Sequence, residues 1–351
     1  MTRKKIIQLV LGLVLVLVLG IGGLYRNRTI TNPATGGETM GTGYSVKITG
    51  PILKSDLEKL TEKIDARLIE LNRQMSTWDP ASEISAFNHF HSTERFSCSA
   101  EFRTVVERAL YFSESTGGAF DPTLQPLLNL WGFGSEGDDR TIPSDAQIAE
   151  TQLKTGWEKI EVKPDGLQKT DPDLSLALGA IAKGYGVDAL AAILDEAGLT
   201  DWFVEIGGEV VARGVNPDGV PWRVGIQYPT TNPMDERLQG ILHMTNGAVA
   251  TSGNYRNYIE EEGELFSHIL DPRTGRALHT RTAGVSVFAE NCMDADGMAT
   301  ALYVMGPEAG LEWAEKHEGI EALFLIHGPD GEIFEKFSSG FRKATGYTSV
   351  R

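Results

Sequence analysis

A carboxylate at Asp296 and a hydroxyl at Thr300 stand four residues apart in the stretch MDADGMATAL (293–302), and so share one face of any helix formed there. Two hard oxygens on one face suit magnesium or calcium better than a soft metal. They are too few for a closed cage, so carbonyls, water or substrate phosphates would have to complete the shell. The small residues between them, Ala295, Ala299 and Ala301, fit a plain packing helix equally well.

Other stretches invite similar readings. GAIAKGYGVD (179–188) crowds three glycines and Lys183 at the start of a helix, where free N–H groups and an ammonium would suit a phosphate. It is neither a Walker A loop nor GxGxxG, and close helix packing explains the glycines as well. SHILDPRTG (267–275) joins a possible acid/base, His268, to a β-turn, though a lone histidine also serves structure. STGGAFDPT (115–123) is a glycine turn leading to an aromatic, a carboxylate and a proline, and by itself reads as a structural loop. In MSTWDP (75–80), Trp78 could stack on a flat ligand or cap the core. The seven histidines form no HxxxH or HExxH pattern, and Cys98 and Cys292 lack metal-ligand spacing, so zinc is not expected. Whether those cysteines pair is not legible.

The elements that must position these groups follow from hydrophobic period. Residues 29–38 (TITNPATGGE) read as a short flexible spacer. Tyr44, Val46 and Ile48 alternate as in a half-buried strand over 43–49, and Leu53, Leu57, Leu60, Ile64, Leu68, Leu71 and Met75 recur at helical steps to about Thr77. A second helix is expected over 101–115, mostly loop over 117–143, and a third helix over 180–197. Strands follow at 202–213, 222–227, 240–245, 248–252 and 283–289, then helices at 294–305 and 308–317. A final hairpin pairs 322–326 with 332–337 around Pro329-Asp330-Gly331. Strands clustered late, with helices before and after, indicate an α+β fold: a mixed, largely antiparallel sheet core with flanking helices.

The net charge of −16 conceals a polarity. Five basic and no acidic residues lie in positions 1–28, which leaves the body at −21 and makes it a poor nucleic-acid binder. Residues 6–24 form an almost unbroken apolar run behind Arg3, Lys4 and Lys5, long enough to cross a bilayer. We expect an N-terminal anchor over 1–28, uncleaved rather than removed as a signal peptide, with the body outside the inner membrane.

The order of the motifs says more than any one of them. MGTGYSV at Met40, MSTWDPASEISAFN at Met75, GGAFDPT at Gly117, GAIAKGYGVD at Gly179, TSGNY at Thr251, SHILDPRTG at Ser267 and DADGMATAL at Asp294 together resemble the ApbE family, the FAD:protein FMN transferases. The resemblance implies a single flavin-transferase domain over 39–345 in which FAD is substrate. Its pyrophosphate is cleaved, AMP leaves, and FMN is joined by a phosphoester to Ser or Thr of an acceptor protein. It further implies Mg2+ held by Asp296, Thr300 and the carbonyl of Ala180. Lys183 would face the dinucleotide, Met40, Trp78 and Ala119-Phe120-Asp121 would line it, and Leu270 would offer backbone contact. His268 would deprotonate the acceptor hydroxyl. Exported domains of membrane redox complexes of the Rnf and Nqr types would be the acceptors. Two departures stand out. Ala177 occupies a position where many members carry Asp in contact with FAD, and no lipobox cysteine precedes Cys98. A flavin carrier that binds FAD without transfer, and a metal-dependent FAD pyrophosphatase, are the competing readings.

Overall fold

A computed structural model describes residues 3–4, 7–8, 10–16, 28–137, 142–230, 232, 234–253, 258–261 and 264–350. Its frame is an eight-stranded sheet of β1 (Ala34–Thr39), β2 (Thr42–Ile48), β3 (Trp202–Ile206), β4 (Glu209–Arg213), β5 (Asn246–Gly253), β6 (Thr282–Ala289), β7 (Glu321–His327) and β8 (Ile333–Phe337). Each strand pairs antiparallel with the next in chain order, so the sheet is one long meander with insertions between neighbours. The β3–β4 connection is a two-residue turn: Gly207 and Gly208 have φ of 63° and 104°. Two positive-φ residues make the hairpin turn whose twist matches the strands, and a sequence reading therefore ran one strand through 202–213.

The two sheet faces are covered differently, as the alternation of side chains requires. Val204, Val211, Ala248, Ala250, Val285, Val287 and Phe324 pack into the helical side. That side holds α1 (Lys54–Met75), α2 (Ala100–Ser115), α3 (Ala182–Glu196), α4 (Cys292–Met305) and α5 (Pro307–Lys316). Phe203, Val210, Val249, Leu323 and Leu325 face the other way, onto a three-stranded sheet of residues 222–227, 238–244 and 348–349. β6 lies in the middle, buried along nearly its whole length. On α1 the expected stripe is buried at Leu60, Ile64, Leu68, Leu71 and Met75. Truncating the fully buried Leu71 to Ala would cost about 2–5 kcal/mol.

Several expectations need correction. Residues 29–38 are not a spacer: Thr29–Thr31 pair with Pro51–Leu53, and β1 completes the sheet edge. Gly36 and Gly37 are admitted because β1 closes on Tyr44, whose carbonyl and ring lie where a Cβ would go. The folded body thus begins before residue 39, and Thr348–Ser349 pair with Gly240–Ile241, carrying it past 345. The loop expected over 117–143 contains a helix, Gln125–Leu130, and an unforeseen hairpin spans 160–169. Cys98 and Cys292 are both free. The expected anchor over 1–28 falls largely outside the described residues, and among the described residues no helix is long and apolar enough to cross a membrane.

Candidate functional site

Helices α3 and α4 cross at their N-terminal ends, where a helix leaves N–H groups without intrahelical partners. Each helix supplies the other's missing acceptor. Asp296 of α4 accepts a hydrogen bond from the Gly184 N–H of α3 at 2.9 Å. Asp188 of α3 accepts from the N–H groups of Cys292 and Met293, both at 2.8 Å, in the first turn of α4. Asn291 completes that end by accepting from Asp294 N–H, and Arg108 clamps Asp294 through two 2.6 Å bonds. The crossing is close enough to demand glycine: a Cβ on Gly184 would press into the Cys292 carbonyl and come within 2.7 Å of Asp296 Cβ. Gly297 makes the same allowance for the ring of Phe112. The small residues of MDADGMATAL thus serve packing, and the packing fixes the carboxylate.

Beside this crossing lies a charged cluster. Lys183 Nζ is 3.2 Å from Glu209 Oε1 and 3.6 Å from Asp296 Oδ1. Burial works against the ammonium, but the two carboxylates outweigh it and hold the Lys183 pKa above the usual lysine value. Burial pushes the Glu209 carboxyl up to about 7 against the pull of Lys183. Glu209 Oε2 is buried without a hydrogen-bond partner among the described residues, tucked beneath the Gly207–Gly208 turn. Sequence reading passed over Glu209. The signal was the pair of glycines before it, which read as strand interior when they were a turn aiming the next side chain at a helix end.

These groups line one cavity of about 500 Å³, a size suited to a small-molecule site. Ala119, Phe120, Asp121, Ala177, Ala180, Lys183, His268, Leu270, Asp296 and Thr300 all contribute, so ten of the expected site residues meet there. Thr300 Oγ1 lies 2.9 Å from Ser252 Oγ on β5. On another wall, Ala177 N–H donates to the Pro122 carbonyl at 2.7 Å, tying the segment before α3 to the 119–123 turn. Burial pushes the Asp121 carboxyl above its usual range, although Thr123 donates to it through both N–H and hydroxyl. His268 sits in the loop between two short hairpins, its ring edge-on to Phe133 at 6.3 Å.

Met40 and Trp78 are not brought to the cavity. Met40 occupies the β1–β2 turn with φ of 49°, and its side chain rests on α3, where a Cβ on Gly186 would lie 3.1 Å from Met40 Cε. Trp78 follows the end of α1 and is 71 % exposed.

The donor set fits a hard divalent cation held in part by substrate. Among the described residues no three of His, Cys, Asp and Glu converge on a metal position. Asp296 and Thr300 offer only oxygens from a cavity wall to which Ala180 also contributes, and Glu209 adds an unsatisfied buried carboxylate oxygen to the same cavity.

The sequence and fold have counterparts. The model of the ApbE family matches residues 40–324. A FAD:protein FMN transferase of Vibrio cholerae is 42 % identical over 304 residues, covering 86 % of this chain and 89 % of the relative. The Escherichia coli K12 protein of the same name is 36 % identical over 307 residues, or 86 % of each chain. Among solved structures, the flavin transferase ApbE from Vibrio cholerae aligns with a TM-score of 0.80 at 39 % identity, over 90 % of this chain and 99 % of that one. The apo flavinyl transferase ApbE of Pseudomonas stutzeri aligns with a TM-score of 0.81 at 35 % identity, over 92 % and 99 %.

Proposed function

The chain belongs to the ApbE family, and we propose that it transfers FMN from FAD to a Ser or Thr hydroxyl of an acceptor protein, with AMP as leaving group. The observation that carries this reading is the meeting, in one cavity, of a hard-oxygen set, a partly buried lysine and a histidine from three separate parts of the chain.

Asp296, Thr300 and the Ala180 carbonyl would hold magnesium, which when bound supplies charge neutralisation to the pyrophosphate. Lys183 presents an ammonium to the same phosphates, and the 119–121 turn with Ala177 and Leu270 encloses the dinucleotide. His268 takes the proton of the acceptor hydroxyl as its oxygen bonds to the FMN phosphorus. The phosphorus–oxygen bond to AMP breaks in the same displacement, so a phosphoanhydride is exchanged for a phosphoester.

Incubation with FAD, magnesium and an acceptor domain tests this directly. Fluorescent flavin on the acceptor in a denaturing gel, with the mass gain of one FMN, is the expected result. FAD binding with no covalent product would identify a flavin carrier, and AMP release at a rate indifferent to acceptor would identify a pyrophosphatase. The apolar run at 6–24 supports an anchored body on the outer side of the inner membrane, where domains of Rnf- and Nqr-type redox complexes would be reached. Membrane fractionation with protease protection checks that placement.

A further inference from the structure

The Lys183 ammonium lies between two carboxylates, one of which, Asp296, belongs to the cation-holding set. Both carboxylate side chains are about nineteen-twentieths buried, with exposures of 5 % for Asp296 and 6 % for Glu209, whereas Lys183 keeps 27 %. Two buried carboxylates this close repel each other unless a cation stands between them. Here the protein provides that cation itself.

We propose that Lys183 is an exchangeable stand-in for the divalent cation: it neutralises Asp296 until the ion arrives, then yields that carboxylate while remaining tethered to Glu209 and turned toward the substrate phosphates. Three observations converge on this. The contact to Glu209 is the shorter, so the ammonium has a partner to keep when it leaves Asp296. Glu209 Oε2 has no hydrogen-bond partner among the described residues, leaving a free acceptor for the displaced ammonium to move onto. The lysine is the most exposed member and the one on a flexible stem, whereas Asp296 is pinned by the Gly184 N–H and Glu209 follows a fixed two-glycine turn. The exchange also reverses the sign of this three-residue cluster. One ammonium against two carboxylates disfavours a pyrophosphate at this end of the cavity, and adding a divalent ion turns the balance of the cluster positive, which favours loading of the cation before or with FAD. Glu209 is then a positioning residue, acting through Lys183.

The proposal rests on the assignment of the cation to Asp296, and the test separates the two. Mn2+ binding to the full-length protein without FAD is titrated by electron paramagnetic resonance for wild type, Asp296→Ala, Lys183→Met, Glu209→Gln and the Lys183→Met/Glu209→Gln pair, each checked for folding by circular dichroism. The expected pattern is loss of the site in Asp296→Ala and about threefold to tenfold tighter Mn2+ in Lys183→Met, because the competitor is gone. Glu209→Gln should bind several-fold more weakly, because the ammonium then has only Asp296 to rest on. The double variant should lose that weakening. Unchanged or weaker binding in Lys183→Met, with Asp296→Ala still defective, overturns the exchange. Should Lys183→Met fail to fold, Glu209→Gln binding as tightly as wild type overturns it instead. Mn2+ binding retained at wild-type strength in Asp296→Ala overturns the cation assignment and the exchange together.

Discussion

On one wall of the cavity Asp296, Thr300 and Lys183 ride on long helices whose ends cap each other, whereas on another Leu270 and the loop that carries His268 belong to hairpins with strands of two to four residues. The helical wall is over-determined. Asp296 is held by backbone, by a neighbour that tolerates no side chain and by an ammonium. The hairpin wall is held by local bonds, such as Ser267 Oγ accepting from Ile269 N–H at 3.0 Å, and by Trp131 donating to the Gly275 carbonyl at 3.0 Å. On the proposed function, the groups that would keep their distance from a small ion sit where the backbone cannot give, and the group that would meet a second protein sits on a loop.

The contrast can be broken at either wall. Asp296→Ala should have the largest effect, lowering transfer by about 10³-fold or more by removing charge from the pyrophosphate site. It should also cost about 1 kcal/mol of stability, because α3 loses its terminal acceptor. Transfer near the wild-type rate at saturating FAD and magnesium would refute the role. His268→Ala should lower kcat by about 10²-fold with little change in melting temperature or FAD affinity. A large drop in melting temperature would show that the hairpin wall is as structural as the helical one.

Gly184→Ala probes the crossing alone. It should destabilise the fold by about 3 kcal/mol and weaken cation binding without touching a ligand, since the new methyl has no room. Denaturant unfolding indistinguishable from wild type would mean that the helices can part freely. The last effect is a pH slope, comparable in size but spread over about two pH units. Burial raises the Asp188 carboxyl from 3.8 to about 6, against the pull of the two N–H groups it accepts. The folded state therefore holds this proton more tightly than the unfolded chain, and the associated stability is full below pH 3.8 and lost as pH rises through about 6. Unfolding measured across that window should show a change worth on the order of 3 kcal/mol, which Asp188→Asn flattens.

Much of the frame was legible because its elements are long and strongly periodic. The α1 stripe and the strand at 222–227 stand where their patterns placed them, and the clustering of strands marked the α+β class. What escaped notice was decided by contacts distant in sequence. Residues 34–39 look like linker because Pro33, Gly36 and Gly37 are turn-formers, yet pairing with β2 overrides local preference. For the site, the Asp296–Thr300 spacing gave a shared helix face, but only the fold brings Lys183 between Asp296 and Glu209. Met40 and Trp78 were expected at the cavity from resemblance alone, and a positive-φ turn and an exposed helix end put them elsewhere.

The reciprocal capping of α3 and α4 has a bearing on biosynthesis. About a hundred residues separate Asp188 from Cys292, and β3 to β6 lie between them. Neither helix start is satisfied until the ribosome has delivered the other, so on the proposed reading a growing chain would have no cation site through the first four-fifths of its synthesis. The cavity that would take flavin is complete only as α4 docks, which would keep an unfinished or unfolded chain from sequestering FAD.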